Sequence, residues 1–230
     1  MKKLLARLLI LFYFSASCAS YTAQPVTLLR IQAAAASAEQ EGFAVGVTPH
    51  LSAERNTQIF GADLKQAGIL PLQVVVRNNT EERLTVRKGD FVLRLSSDNE
   101  YAPAPPSVVA ARLESYLGVI GWTVAFGLVG FFASSAQQQE VNNARRADLR
   151  SKEFADVSLD SQDSAQGFLF FLIPDEVKEI KEAALSARAL EPSGGKKINV
   201  ALRLGDMDTW NERKSTAGEI AQGTSCCECS

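Results

Sequence analysis

From Ser115 to Gln139 the chain carries no charged side chain, and within that stretch Leu117 to Ala133 is an almost unbroken apolar run. A helix of that length sits at the short end of what crosses a bilayer, which takes about 20 residues. A helix that is apolar all round must be covered on every side, by lipid or by protein, and one small domain supplies little such cover. Gly118, Gly121, Gly127 and Gly130 each cost a helix interior about 1 kcal/mol relative to Ala, so four of them imply a packing use. At about 100° per residue, Gly118, Gly121 and Ala125 share one face, while Thr123, Gly127, Gly130 and Ser134 share another. Gly121 with Ala125, Thr123 with Gly127, and Gly130 with Ser134 have the small-xxx-small spacing that lets apolar helices approach closely.

On both sides of this run the sequence reads as strands. LQVVVR at 72–77 is β-branched, NNTEER makes a polar turn, LTVR resumes the extended pattern, and FVLRL at 91–95 alternates before the turn SSDNE. These segments predict an antiparallel meander with one buried face. Val26 to Gln32, Gly42 to Val47, Gly167 to Ile173 and Ile198 to Leu204 add further strands, giving six or seven in all. The fold class expected is mainly β with inserted helices: an immunoglobulin-like antiparallel β-sandwich, resting on strand count because the Cys and Trp pattern of antibody domains is absent. Residues 24–107 form its first part and 156–205 the remainder.

That division bears on the apolar run. If it crossed a membrane once, the strands after it would be separated from those before it, and two strands make no independently stable sheet. Residues 108–155 are therefore expected to be a helical excursion that leaves the sandwich, touches membrane or a partner helix, and returns. Arg145, Arg146, Arg150 and Lys152 argue the other way, since they follow the run as a cytoplasmic flank would, and a single span is the alternative.

The N-terminus reads as an export signal over residues 1–17. MKKLLAR is its basic part, LLILFYF a short apolar core, and SASCAS the small residues at a cleavage site. Cys18 then resembles the acylated cysteine of bacterial lipoproteins, with 18–23 as a lipidated linker, although Ser15 stands where that motif usually has Leu. Ala19 after the cysteine, rather than Asp, matches the outer-membrane pattern. Ordinary cleavage after Ser17 or Ala19 is the alternative. At the other end, residues 206–230 read as a flexible tail ending GTSCCECS. Cys226 and Cys229 have C-x-x-C spacing, but no βαβ unit or second ligand pair accompanies Cys226, Cys227 and Cys229, so a frayed polar tail is expected over metal capture.

Little else carries chemistry. The 230 residues include 24 basic and 26 acidic side chains for a net charge of −2, which gives no basic footprint for nucleic acid. The single histidine, His50, follows Pro49 in what reads as a surface turn. No nucleophile elbow, P-loop, dinucleotide fingerprint or H-E-x-x-H is present, so no catalytic residue and no cofactor is expected. Asp156, Asp160 and Asp163 fit no EF-hand loop and read as a solvated loop. Ser193 to Lys197 reads as a hairpin turn, and the sequon Asn78-Asn79-Thr80 simply as a turn. Asp175 to Leu190 predicts a helix capping the sandwich, with acidic residues at its start and Pro192 after its end.

FGADLKQAGILPLQVVVRNNTEERLTVRKGDFVLRL, YAPAPP, the glycine-rich helix and RRADLRSKEFADVSLDSQDSAQGFLFFLIP together resemble a group of poorly characterised bacterial envelope lipoproteins. The resemblance covers roughly Phe60 to Pro174. It implies an immunoglobulin-like sandwich interrupted by an apolar helix, and an envelope location, but no catalytic residues. The expected function is thus a non-catalytic exported lipoprotein, anchored through Cys18 to the outer membrane and facing the periplasm, whose sandwich presents a binding surface. Expected partners are the membrane, through the anchor and the helix, and a like chain or another envelope protein. A single-pass membrane protein, or an envelope metal-handling protein using the C-terminal cysteines, is the alternative.

Overall fold

A computed structural model describes residues 23–95, 99–125, 135–177, 180–191 and 196–207. The first sheet is four-stranded in the order β1-β2-β3-β8, formed by β1 (Ala36–Gln40), β2 (Phe43–Pro49), β3 (Ile69–Asn78) and β8 (Ser164–Leu172). The second is six-stranded. It runs β6 (Glu100–Tyr101), β5 (Phe91–Arg94), β9 (Ala183–Leu190), β4 (Leu84–Val86) and β7 (Val157–Leu159), with β10 (Lys197–Gly205) on β9 as well. All the paired strands are antiparallel. The β1–β2 turn is Glu41-Gly42 with φ of 51° and 78°, the mirror-image geometry that suits strand twist. A Cβ on Gly42 would also come within 2.7 Å of Thr80 Cγ2.

The two sheets enclose one core. Val45, Leu72, Val74, Val76, Leu169 and Phe171 of the first meet Leu93, Leu185, Ala187, Ile198, Val200 and Leu202 of the second. The other face of the four-stranded sheet is covered too. Ile69, Phe168 and Phe170 pack against three helices: α1 (Ala53–Phe60), α2 (Pro106–Ala125) and α3 (Ser135–Lys152). Phe60 of α1 sits edge-on to Phe168 at 4.9 Å and to Phe170 at 5.7 Å between ring centroids. This explains why ILPLQVVV and GFLFFL run apolar without alternating. Strands β3 and β8 are buried on both faces, so both side-chain registers are apolar, whereas β9 and β10 alternate.

The single span is overturned by pairing. Strand β3 precedes the apolar run and β8 follows it, yet they share a register from Ile69↔Leu172 to Arg77↔Ser164. Both ends of the insertion therefore lie on one side of any membrane. Among the described residues no helix is long and apolar enough to cross one. The insertion does not simply leave the sandwich either, since Val109, Ala110 and Leu113 of α2 and Leu149 of α3 are buried against the sheet. Its helices are joined by a two-pronged ion pair, with Arg146 Nε and Nη2 donating to Glu114 Oε1 and Oε2 at 2.9 and 2.7 Å. Of the cations that resembled a cytoplasmic flank, Arg146 thus joins the two insertion helices and Lys152 ties α3 to the last turn of α1.

Two further expectations are corrected, and one helix was not expected. The helix predicted over Asp175 to Leu190 is a turn at its start and strand β9 from Ala183. Its Ala, Leu, Ser and Arg favour helix locally, but Leu185, Ala187 and Ala189 alternate into the core and pairing with β10 and β5 prevails. Val26 to Gln32 is no strand, being an irregular extended segment that ends in a 3-10 turn, Ile31–Ala33. Helix α1 was unforeseen, although Ser52 caps it by accepting from Arg55 N at 3.3 Å and Gly61 ends it at φ 67°.

Candidate functional site

Residues 23–35 lie as a strap across the helix-covered side of the four-stranded sheet. Few of its bonds are of strand type. Gln24 N donates to Gln58 O of α1 at 3.0 Å, Thr27 O accepts from Gln73 Nε2 of β3 at 2.9 Å, Leu29 N donates to Gln166 Oε1 of β8 at 2.7 Å, and Ala35 N donates to Thr48 Oγ1 of β2 at 3.1 Å. Gly46 lets the strap come down on the sheet. A Cβ there would stand 2.9 Å from Ala34 Cβ and 3.2 Å from Ile31 Cα.

Beside the strap opens a cleft of about 590 Å³ between residues 27–33, the end of β2 and the start of α1. His50 forms part of its wall. Far from standing in a surface turn, His50 is 5% exposed, its N–H donates to Pro71 O at 3.0 Å, and its ring meets Phe168 edge-on at 5.2 Å. Its Nε2 lies 3.1 Å from Gln73 Oε1. Because the Gln73 amide nitrogen is already donating to Thr27 O, its oxygen must accept, so the imidazole carries its proton on Nε2 and presents a lone pair at Nδ1. Burial lowers the His50 pKa, the Gln73 hydrogen bond partly opposes this, and the nearby Arg55 guanidinium lowers it again, so the ring is neutral at pH 7. Under His50, Asn56 is fully buried. Its Nδ2 donates to His50 O at 3.2 Å, while its Oδ1 has no partner among the described residues.

A second recess, of about 370 Å³, lies where the strap begins, between Ala23–Val26 and Asp148, Lys152 and Gln166. Lys152 is 7% exposed. Its ammonium donates to Ile59 O, a carbonyl in the last turn of α1, and to Asp148 Oδ2 at 2.6 Å, and lies 5.7 Å from the Phe60 ring. Its role is to cap a helix end. Just beyond, the chain crosses β8 so closely that a Cβ on Gly167 would stand 2.5 Å from both N and Cα of Phe154.

Of the residues singled out in the sequence, the acidic loop is the clearest case. Asp156 accepts from Lys88 N at 2.8 Å, Asp160 pairs with Arg83 at 2.6 Å, and Asp163 accepts from Asp160 N at 3.2 Å, so the three carboxylates serve turns rather than converging. No group of metal-ligating side chains occurs among the described residues. The sequon asparagine is interior: Asn78 Nδ2 donates to Glu82 O, Leu159 O and Asp160 O at 2.7, 3.1 and 3.2 Å, and its Oδ1 accepts from Thr80 N and Oγ1. Gly118, Gly121, Thr123 and Ala125 fall within α2. Cys18, Gly127, Gly130, Ser134, Cys226, Cys227 and Cys229 lie outside the described residues, as does most of the turn proposed at 193–197, although β9 and β10 pair on either side of it.

No family model matches the chain and no curated protein matches it. Among solved structures it is similar to the ycdA protein of Bacillus subtilis, which carries the provisional name lipoprotein, at 14% identity and a TM-score of 0.40 over 80% of this chain. The chain spans only 42% of that protein's length. It is also similar to the yjhA protein of Bacillus subtilis, at 13% identity and a TM-score of 0.34, covering 66% of this chain and 76% of that one. A functionally unknown protein of Listeria monocytogenes follows at 11% identity and a TM-score of 0.34, covering 73% and 79%.

Proposed function

We propose that the protein is an exported, non-catalytic binding protein of the bacterial cell envelope, acylated at Cys18, held at the outer membrane and facing the periplasm through an immunoglobulin-like sandwich. One observation carries the reading: the strap and the helical insertion occupy the same face of the four-stranded sheet. Ala23, where the strap begins, is five residues beyond Cys18, so a lipid there would lie within about 18 Å of the recess beside Lys152. The helices that lead into and out of the uncharged run from Ser115 to Gln139 pack on that face through Val109, Ala110, Leu113 and Leu149. The strap that follows Cys18 and the described helices of the insertion thus share one side of the protein, which supports the reading, and the exposed outer face of the six-stranded sheet, with Ser186, Arg188, Asn199 and Arg203, is turned the other way.

Fractionation of envelopes tests this. The chain is expected to leave the membrane with detergent and to stay with it in high salt, and Cys18→Ser is expected to abolish incorporation of radiolabelled palmitate. Recovery of the unaltered chain in the soluble fraction after high salt, or acylation that survives Cys18→Ser, defeats the reading.

A further inference from the structure

We propose that the cleft beside His50 binds a small amphiphile that carries, at one end of an apolar chain, an anionic group next to a hydrogen-bond donor. The inference stands on the cleft itself and holds whether or not Cys18 is acylated.

The cleft has the size of a small-molecule site, and its lining divides into two parts. Leu28, Leu29, Ala33, Pro49 and Leu51 make an apolar wall, in which Leu28 is 80% exposed and so lacks cover among the described residues. The polar part is electrically one-sided. Arg55 is the one formal charge among the lining residues, and no carboxylate joins it there. Its neighbour Glu54 is engaged on its own helix, accepting from Gln58 at 3.3 Å, and no ion pair of the Arg55 guanidinium occurs among the described residues. An anion is the group this corner lacks.

His50 supplies the second requirement. Its Nε2 is committed to Gln73, and its Nδ1 has no partner among the described residues, yet it is not one of the sealed, unsatisfied atoms of the interior. The ring is nearly buried and lines the cleft, so the cleft is where Nδ1 meets solvent. A lone pair held in one tautomer by the chain Thr27–Gln73–His50 selects a ligand N–H or O–H. Arg55 therefore asks for an anion, His50 for a donor close to it, and the leucines for an apolar body. An N-acylated amino acid has the three in that order.

His50 is the sole histidine, so a full-length chain labelled with 15N-histidine, purified without a histidine tag and placed in lipid nanodiscs, gives a single imidazole to observe. N-hexanoylglycine is the probe. It should shift the Nδ1 resonance saturably, as expected when a lone pair accepts a hydrogen bond. N-hexanoylglycinamide, which keeps the donor and loses the charge, should need about fivefold more, and Arg55→Gln should remove that difference. Hexanoate, which keeps the charge and lacks the N–H, should leave Nδ1 unshifted at neutral pH. The proposal is overturned if N-hexanoylglycine leaves Nδ1 unmoved at the solubility limit, or if acid and amide titrate alike in the unaltered chain. Because Arg55 is exposed, its substitution leaves the fold intact, and the imidazole signal itself reports this.

Discussion

Gly167 is the position where a single methyl group does most damage. The backbone of Phe154 passes within 2.5 Å of where a Cβ would stand, and backbone yields less readily than a side-chain tip. Gly167→Ala should cost about 3 kcal/mol in a denaturant titration, while Gly89→Ala, with nothing within 4 Å, should stay within about 0.5 kcal/mol. Asn78→Ala should also be costly, at about 3 kcal/mol, because it strands the carbonyls of Glu82, Leu159 and Asp160 together with Thr80 N; thermal unfolding will read it. His50 makes a pH prediction of definite sign. Its folded pKa is below the ordinary 6.5, so the unfolded chain binds the extra proton, and stability is complete above pH 6.5 and falls as pH drops from there to the folded value. With no other histidine in the chain, His50→Gln should flatten that slope. At this scale the sequence held one overlooked sign of the site. Gln73 sits inside LQVVV, and a polar side chain in a strand buried on both faces needs a partner, which His50 provides. His50 itself was illegible, since its surroundings include Pro71 and Gln73 of β3 and Phe168 of β8, which arrive from elsewhere in the chain.

Among the elements, strands whose side chains are large and β-branched could be read directly: β2, β3, β4, β5, β8 and β10 each coincide with a predicted run. Strand β9 could not be read by propensity, because AALSARAL is a helix-forming composition, although its period of two was there to be counted. The double burial of β3 and β8 was likewise written in their missing alternation, and it announced the helical layer. The insertion leaves and rejoins the sandwich at neighbouring points of one strand. Ala104 N donates to Phe170 O at 2.7 Å and Phe154 N to Phe168 O at 2.9 Å, which also covers the outer edge of β8. Its two flanks therefore share a compartment. Single cysteines at Glu54 and Ser161, both exposed, in a background with Cys18, Cys226, Cys227 and Cys229 replaced, should react with an impermeant label under the same condition on intact and permeabilised cells. Labelling under opposite conditions would contradict the β3–β8 pairing.

The whole molecule is layered: six-stranded sheet, core, four-stranded sheet, then helices and strap. A strand count from sequence reaches the first three layers; of the fourth, the insertion was expected as helix but as an excursion that leaves the sandwich, while α1 is short and the strap has no periodic pattern at all. For the same reason the cleft was invisible: its walls come from residues 27–33, 48–55 and 73, three stretches that only the assembled layers bring together. The strap also gives the molecule a mechanical direction. Its contacts are met one after another by a pull from the N-terminus, first Gln24 on Gln58, then Thr27 on Gln73, then Leu29 on Gln166, as a zip opens rather than as a sheet shears. The second tooth of that zip is the bond that orients the Gln73 amide toward His50, so tension on the leading end loosens the cleft before it opens the strand pairing of either sheet.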